Sequence, residues 1–432
     1  MQTQTPSITK NNRRALIAAI VASGLDDLNV MFLAFSMSTI ISQFGLSSTQ
    51  GGWIGTITNF GMLVGGLIFG VLADRYNKFK VFKWTVIIFS VATGLIFFTE
   101  NIYYLYLMRF IAGIGVGGEY GVAISIMAGI VPKEKMGRIS SLNGIVGQVG
   151  SISAAILASL IAPMFGWRGL FLFGFLPLIL VVWMKFAIDE DAVTDHGALE
   201  ASTAPKGRIR DLFKTRALVH QTLALMAMTT VQIAGYFGMM NWLPTMMQQN
   251  IGVSVNGSNS WMISTILGMC LGMLVFGQLL DKFGPRLVYG IFLICSAISV
   301  YGFSFANSAA ALLIGGAILG FFVNGMFAGY GAMITRLYPY EVRTVANNTI
   351  LNVGRAVGGF SSVLIGMILD RSGVPTVMLF LAGLYLISFV FMLSLPNLKR
   401  SVYQQIGINE TDTIIEGTSH SIEAPRLAPE VY

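Results

Sequence analysis

The feature that most constrains this chain is a series of apolar segments, each about 20 residues long, recurring from residue 16 to residue 395. A segment of that length crosses about 30 Å of hydrocarbon as a helix. Without water its backbone must satisfy its own hydrogen bonds, so helix is the form the sequence dictates. Twelve spans are predicted: 16–42, 51–73, 81–99, 103–131, 139–163 and 168–187, then 216–245, 259–280, 286–305, 309–335, 344–370 and 374–395. Hydrophobic residues make up 54% of the 432 and charged residues only 11%, with a mean hydropathy of +0.71, which excludes an ordinary soluble domain. Lys10, Arg13 and Arg14 precede the first span, but Asp26 and Asp27 lie inside it and no small-residue cleavage site follows. It is expected to stay as helix one rather than be removed as a signal.

The net charge of +7 does not point to nucleic acid, because the basic residues sort by loop parity rather than onto one face. Lys10, Arg75, Lys80, Lys133, Arg210, Lys282, Arg343 and Lys399 are among those on one side, and only Arg168 and Arg371 fall on the other. The positive-inside rule then places both termini in the cytoplasm of a multi-pass cell-membrane protein surrounded by lipid bilayer. The segments are a tail over 1–15, a first bundle over 16–187, a linker over 188–215 carrying Pro205 and Lys206, a second bundle over 216–398 and a tail over 399–432. From about Ser401 onward the tail is polar and expected to be disordered. Cys270 and Cys295 lie inside predicted helices and read as small apolar residues, and His196, His220 and His420 are scattered, so neither a metal nor a cofactor is expected.

Sliding one half over the other by 207 residues superposes Gly70 on Gly277, Asp74 on Asp281 and Arg75 on Lys282. The same offset matches Gly113 with Gly320, Gly118 with Gly325, Pro132 with Pro339, Glu134 with Glu341 and Gly166 with Gly373. One register held over several helices implies an all-α membrane protein of two pseudo-symmetric six-helix bundles. Asp74 and Arg75, with Asp281 and Lys282, put a carboxylate and a cation at helix ends, where they pair with each other or with helix dipoles; a gating role is expected.

Charges that break the repeat are the best candidates for chemistry, since a charge at the centre of a membrane helix costs about 2.5–3.5 kcal/mol or more. Arg109 superposes on Gly316, Glu119 on Met326, Asp26 on Ile233, Asp27 on Ala234 and Arg355 on Gln148. Asp26 and Asn29 share a face of helix one, whereas Asp27 is turned by about 100°, so one acid of the two is expected to face the path, with Asp26 favoured. Asp26, Asp27 and Glu119 are the expected proton-coupling groups. Arg109 and Glu119 lie ten residues apart, about 15 Å along a helix, so each needs another partner. A helix-one acid is assigned to Arg109, which is also a candidate for substrate binding, and a cation or a proton to Glu119. Arg355 offers a planar fork for a carboxylate and is the first choice for binding a small organic anion; an inter-helix hydrogen-bond hub is the competing role. Asn29, Gln148, Gln232, Tyr236, Asn241, Trp242, Asn324 and Asn352 are candidates to line an amphipathic pocket, with Gln232 and Tyr236 on one face of helix seven.

The segment Gly70-Val-Leu-Ala-Asp74-Arg75-Tyr-Asn77-Lys78-Phe-Lys80, repeated from Gly277 to Arg286, resembles the signature of the major facilitator superfamily. That resemblance covers about residues 14–398 and implies a monomeric carrier whose halves rock about a central path. Leu25-Asp26-Asp27-Leu28-Asn29, Arg109 to Tyr120, Gly166-Trp167-Arg168 and Gly354-Arg355 are similar to the aromatic acid, sialic acid and metabolite:proton symporters of that superfamily. Uptake of an organic acid with protons is what this implies. Helix one commonly reads Leu-Asp-x-x-Asp in that group, and here Asn29 takes the second acid position. The Pro-Glu-Ser-type segment of sugar porters and the Gly-Pro pair of drug antiporters are not found, since Ala187 to Asp191 and Gly147 to Gly150 stand there. Efflux, sugar or other metabolite transport, and a non-transporting sensor are the alternatives. No nucleophile, base and orienting group come together by spacing, so an enzyme is not expected.

Overall fold

The computed structural model describes residues 9–131, 133–190, 192–193, 208–252, 255–306, 308–339, 342–403 and 405. The first half comprises α1 (Lys10–Phe44), α2 (Ser48–Arg75), α3 (Lys78–Leu95), α4 (Ile102–Ile130), α5 (Lys133–Phe171) and α6 (Leu176–Ala187). The second comprises α7 (Arg216–Ile251), α8 (Val255–Phe283), α9 (Pro285–Phe303), α10 (Ala309–Gly325), α11 (Phe327–Leu337), α12 (Arg343–Gly358) and α13 (Ser361–Leu393). Polar residues in the turns start these helices by accepting from free backbone N–H groups. Asn101 accepts from Tyr104 at 2.9 Å to start α4, and Ser308 accepts from Ala311 at 3.2 Å to start α10. Those two caps are 207 residues apart.

Among the described residues ten apolar helical stretches are long enough to cross a membrane, and two of them run 46 and 49 residues. Each long one bends at a positive-φ glycine, Gly166 (φ 65°) or Gly373 (φ 74°), so the ten make twelve crossings. A left-handed backbone suits glycine because no Cβ is there to clash, and the sequence repeat had superposed these two residues. The offset also holds in the packing. A Cβ on Gly65 would strike the Ile114 carbonyl and one on Gly272 the Phe321 carbonyl; Gly113 and Gly320 meet the carbonyls of Thr58 and Thr265 in the same way. Bare glycines thus let α2 lie on α4, and α8 on α10, at backbone contact. Gly65→Leu is expected to destabilise the protein by about 1–3 kcal/mol through overpacking, read as a lower midpoint of thermal unfolding in detergent; an unchanged midpoint would show that the helices separate freely.

The halves are not identical where the sequence predicts unbroken helices ten and eleven. The first breaks at Met326 between α10 and α11, and the second at Gly359-Phe360 between α12 and α13. Helix four runs unbroken through Glu119, the position equivalent to Met326. The joint in helix eleven is held from the other half, as Thr56 donates to the Gly359 carbonyl at 3.1 Å.

The end of the bundle carrying Arg75 and Lys282 is called the signature end, and the opposite end the far end. The first helix begins at Lys10, inside the expected tail, because Arg14 donates to the Ala187 carbonyl at 2.7 Å and Asn11 to the Asp189 carbonyl at 2.9 Å. The second tail also begins later than expected: Tyr403 is only 7% exposed and its ring lies 4.5 Å from the Arg336 guanidinium. Asp281 is in electrostatic reach of that tyrosine. Gly70 and Gly277 have open space on their Cβ sides. The Asp74 side chain, Pro205, Lys206, His196, His420 and residues 1–8 and 406–432 lie outside the described residues. Cys270 and Cys295 are half-buried and not bonded to each other.

Toward the far end, Ser38 meets Gln248 across the two halves. Asp370 on α13 accepts from the backbone N–H groups of Ser48 and Thr49 at 2.8 Å each, and from the Thr49 hydroxyl at 2.6 Å. A carboxylate of one half thus caps the α2 N-terminus of the other. Opening the path at this end must break these bonds. Asp370→Ala is expected to favour the open form by about tenfold or more, since hydrogen bonds to charged groups contribute about 1.5–3 kcal/mol each. Asn241→Cys, behind the seal, would report it through faster labelling by an impermeant thiol reagent; equal labelling with and without Asp370 would count against the latch.

Candidate functional site

The charges that broke the repeat meet between the halves. Asp26 on α1 is 7% exposed and lies in electrostatic reach of Glu119, Asp27, Arg355 and Arg109. Glu119 on α4 is fully buried. Its Oε1 accepts from Ser23, one turn before Asp26, at 3.4 Å, while Oε2 has no hydrogen-bond partner. Two carboxylates, Asp26 and Asp27, are in electrostatic reach of Glu119, and no cation lies within 4.0 Å of it among the described residues.

Arg109 on α4 is 2% exposed, and its Nε donates to Thr58 Oγ1 on α2 at 3.1 Å. The helix-one acid assigned to it stands in electrostatic reach but not in an ion pair within 4.0 Å. The hydrogen bond that the structure gives this guanidinium is the one to the Thr58 hydroxyl of α2. Both helix-one acids are in electrostatic reach of Tyr236 on α7. Asp27 is half-buried, with its carboxylate over Gly147 of α5, where any side chain would collide with it. The α1 backbone fits α5 just as closely one turn away, because Gly150 faces the Gly24 carbonyl.

Arg355 on α12 supplies the cation from the second half. Its guanidinium makes no hydrogen bond to any described residue and lies 5.1 Å from the centroid of the Tyr120 ring on α4. One turn earlier Asn352 faces Gly66 on α2, its Oδ1 being 3.8 Å from where a Cβ would stand. These contacts place Arg355 at the seam between the halves, next to the residue that follows Glu119.

The pocket candidates divide into two groups. Asn29 is 1% exposed and neither atom of its amide has a hydrogen-bond partner among the described residues. Gln148 Oε1 and Gln232 Oε1 are also buried and unpartnered, although Gln232 Nε2 donates to the Val323 carbonyl at 2.7 Å. Such orphaned amides are costly unless something else binds them. Asn241 reaches the seam beside Gly55 of α2. Trp242, by contrast, is fully buried and donates to the carbonyl and hydroxyl of Ser362, both at 3.0 Å, so it ties α7 to α13 inside one half. Asn324 is buried at the last turn of α10, just before the break.

Ser23, Thr58 and Tyr120 were not picked out by sequence reasoning. Ser23 carried a signal, since it stands three residues before Asp26 on the same helical face. Thr58 and Tyr120 owe their roles to neighbouring helices. Among the described residues no group of three or more His, Cys, Asp and Glu side chains could hold a metal.

A sequence model of the Major Facilitator Superfamily matches residues 19–269 and 225–416. A Haemophilus influenzae protein named for metabolite transport is 34% identical over 401 residues, spanning 91% of this chain and 98% of that one. One from Bacillus subtilis, named for niacin and nicotinamide transport, is 29% identical and spans 84% of this chain and 90% of its own. The cis,cis-muconate transport protein of Acinetobacter baylyi is 27% identical and covers 82% of this chain and 87% of its own. Among solved structures, a bacterial homologue of the human lysosomal transporter Spinster, inward-facing and occupied, superposes with a TM-score of 0.75 at 17% identity, over 90% of this chain and 98% of that one. With its two six-helix halves and its charged seam, this chain is a multi-pass membrane transporter that belongs to the Major Facilitator Superfamily, on the branch of these metabolite transporters.

Proposed function

We propose that this protein takes up a small organic anion together with protons, by alternating access at the seam where Asp26, Glu119 and Arg355 meet. One observation carries the reading: the Arg355 guanidinium has no hydrogen-bonded partner among the described residues and lies in electrostatic reach of the buried acid Asp26. A planar cation with free N–H groups at the seam suits a carboxylate, which it can bind with two parallel bonds. Relatives named for the transport of niacin and cis,cis-muconate support a carboxylate as cargo.

Coupling follows from competition. While ionised, Asp26 is the counter-charge for Arg355. A proton on the acid cluster removes that counter-charge, and the substrate carboxylate then replaces it. Loss of the proton restores Asp26 as the competitor and expels the anion. Charges shielded from water interact more strongly than the same charges in bulk solvent, which favours this exchange at the seam. Asn29, Gln148 and Gln232 would take the remaining polar atoms of the substrate, with Tyr236, Asn241 and Asn352 around them.

In the same reading both termini are cytoplasmic, the protein acts as a monomer in the cell membrane, and the signature end faces the cytoplasm. The Gly70, Asp74 and Arg75 group and its repeat at Gly277, Asp281 and Lys282 would gate that end. The test is flux in proteoliposomes with radiolabelled nicotinate, benzoate or cis,cis-muconate. Accumulation of one of them driven by an inward proton gradient and abolished by a protonophore is expected. Binding without gradient-driven movement would sink the reading in favour of a sensor, and outward pumping would favour efflux.

A further inference from the structure

The guanidinium of Arg355 lies over an aromatic ring. Its Cζ lies 5.1 Å from the centre of the Tyr120 ring, inside the roughly 6 Å range of cation–π attraction. The two residues belong to different halves, one on α4 and one on α12. Tyr120 is 39% exposed, and a Cβ on the adjacent Gly121 would meet nothing within 4 Å, so the ring stands at an open part of the seam. A guanidinium uses its flat face on a ring and its edge on a carboxylate, so stacking leaves the hydrogen-bonding fork free.

We propose that Tyr120 is the positioning residue of the anion site: its ring holds the Arg355 fork in place across the seam before substrate arrives. A long, unrestrained side chain would lose rotamer freedom on binding a carboxylate, and stacking it beforehand removes part of that cost. The ring moves with α4 and the arginine with α12. The fork is therefore held only when the halves are close at this level, and affinity for the anion changes with the conformational state. Since Tyr120 directly follows Glu119, a shift of α4 moves the protonatable acid and the platform together.

This inference rests on Arg355 being the anion site, and a double-mutant cycle separates the two. Full-length protein and the variants Tyr120→Phe, Tyr120→Leu, Arg355→Ala and Tyr120→Leu/Arg355→Ala would be reconstituted and tested for binding and counterflow of nicotinate, benzoate and cis,cis-muconate. Tyr120→Leu is expected to raise KM and Kd about tenfold while maximal counterflow changes by less than about twofold. Tyr120→Phe, which keeps the π face and loses only the hydroxyl, should restore the affinity, and Tyr120→Leu should have no further effect once Arg355 is alanine. An unchanged KM in Tyr120→Leu, equal impairment in Tyr120→Phe, or a full extra loss in the double variant would overturn the positioning role. Full affinity in Arg355→Ala, or no binding of any of the three acids by the unaltered protein, would instead overturn the parent reading. If the leucine variant does not fold, Tyr120→Met, similar in bulk and lacking the ring, gives the same discrimination.

Discussion

Asp26→Asn is expected to abolish accumulation of the anion driven by a proton gradient, leaving only downhill exchange. The substitution keeps the volume of the side chain and removes its ability to carry a proton. In the proposed cycle Asp26, which lies in electrostatic reach of Arg355, competes with substrate for that cation; the amide cannot compete by charge, so the anion should bind whatever the pH. Uptake at an imposed gradient should fall by at least about a hundredfold, on the scale of a few kcal/mol for a lost buried charge, while counterflow at equal pH persists. Glu119→Gln keeps Ser23 as a hydrogen-bond partner and changes a residue one helix away, so a smaller coupling loss is expected there. Full gradient-driven uptake by Asp26→Asn, combined with loss in Glu119→Gln, would move the proton site to α4.

Much of the architecture was legible because membrane helices are written in a one-dimensional code of apolar length, and because the chain contains its own control. The 207-residue offset reappears as matched backbone contacts at Gly65 and Gly272, and as matched bends at Gly166 and Gly373. The breaks at Met326 and Gly359-Phe360 were not legible, since an apolar window measures side chains and says nothing of a backbone hydrogen bond left unmade. The spacing of Arg109 and Glu119 ruled out a direct pair, but the replacement of an acid by Thr58 depends on how α2 is rotated against α4. For Trp242 the residue type suggested a pocket, whereas the position of Ser362 on a distant helix makes it a strut. Tyr403 stands in a segment whose composition reads as tail, and one ring over Arg336 is enough to pin it.

Arg355→Ala should remove anion binding while leaving the fold intact. This guanidinium donates no hydrogen bond to a described residue, so what is forfeited among them is the contact with the Tyr120 ring and the attraction to Asp26. Two charge-assisted bonds to a carboxylate, at about 1.5–3 kcal/mol each, correspond to at least about a hundredfold in affinity. Arg355→Lys tells charge from geometry. An ammonium keeps the attraction but has neither the fork nor the flat face for the ring, so an intermediate loss of about tenfold is expected. The control is thermal stability without ligand. An unliganded midpoint close to that of the unaltered protein, with the stabilisation by nicotinate or cis,cis-muconate gone, is the expected pair of results. A large drop in the unliganded midpoint would instead identify Arg355 as a hub that holds helices together, and the anion would then need another cation, of which buried Arg109 is the candidate. That alternative is the weaker one on physical grounds. Arg109 is buried and already bonded to Thr58, whereas the Arg355 fork stands between the halves with no hydrogen bond to a described residue and is open to a carboxylate.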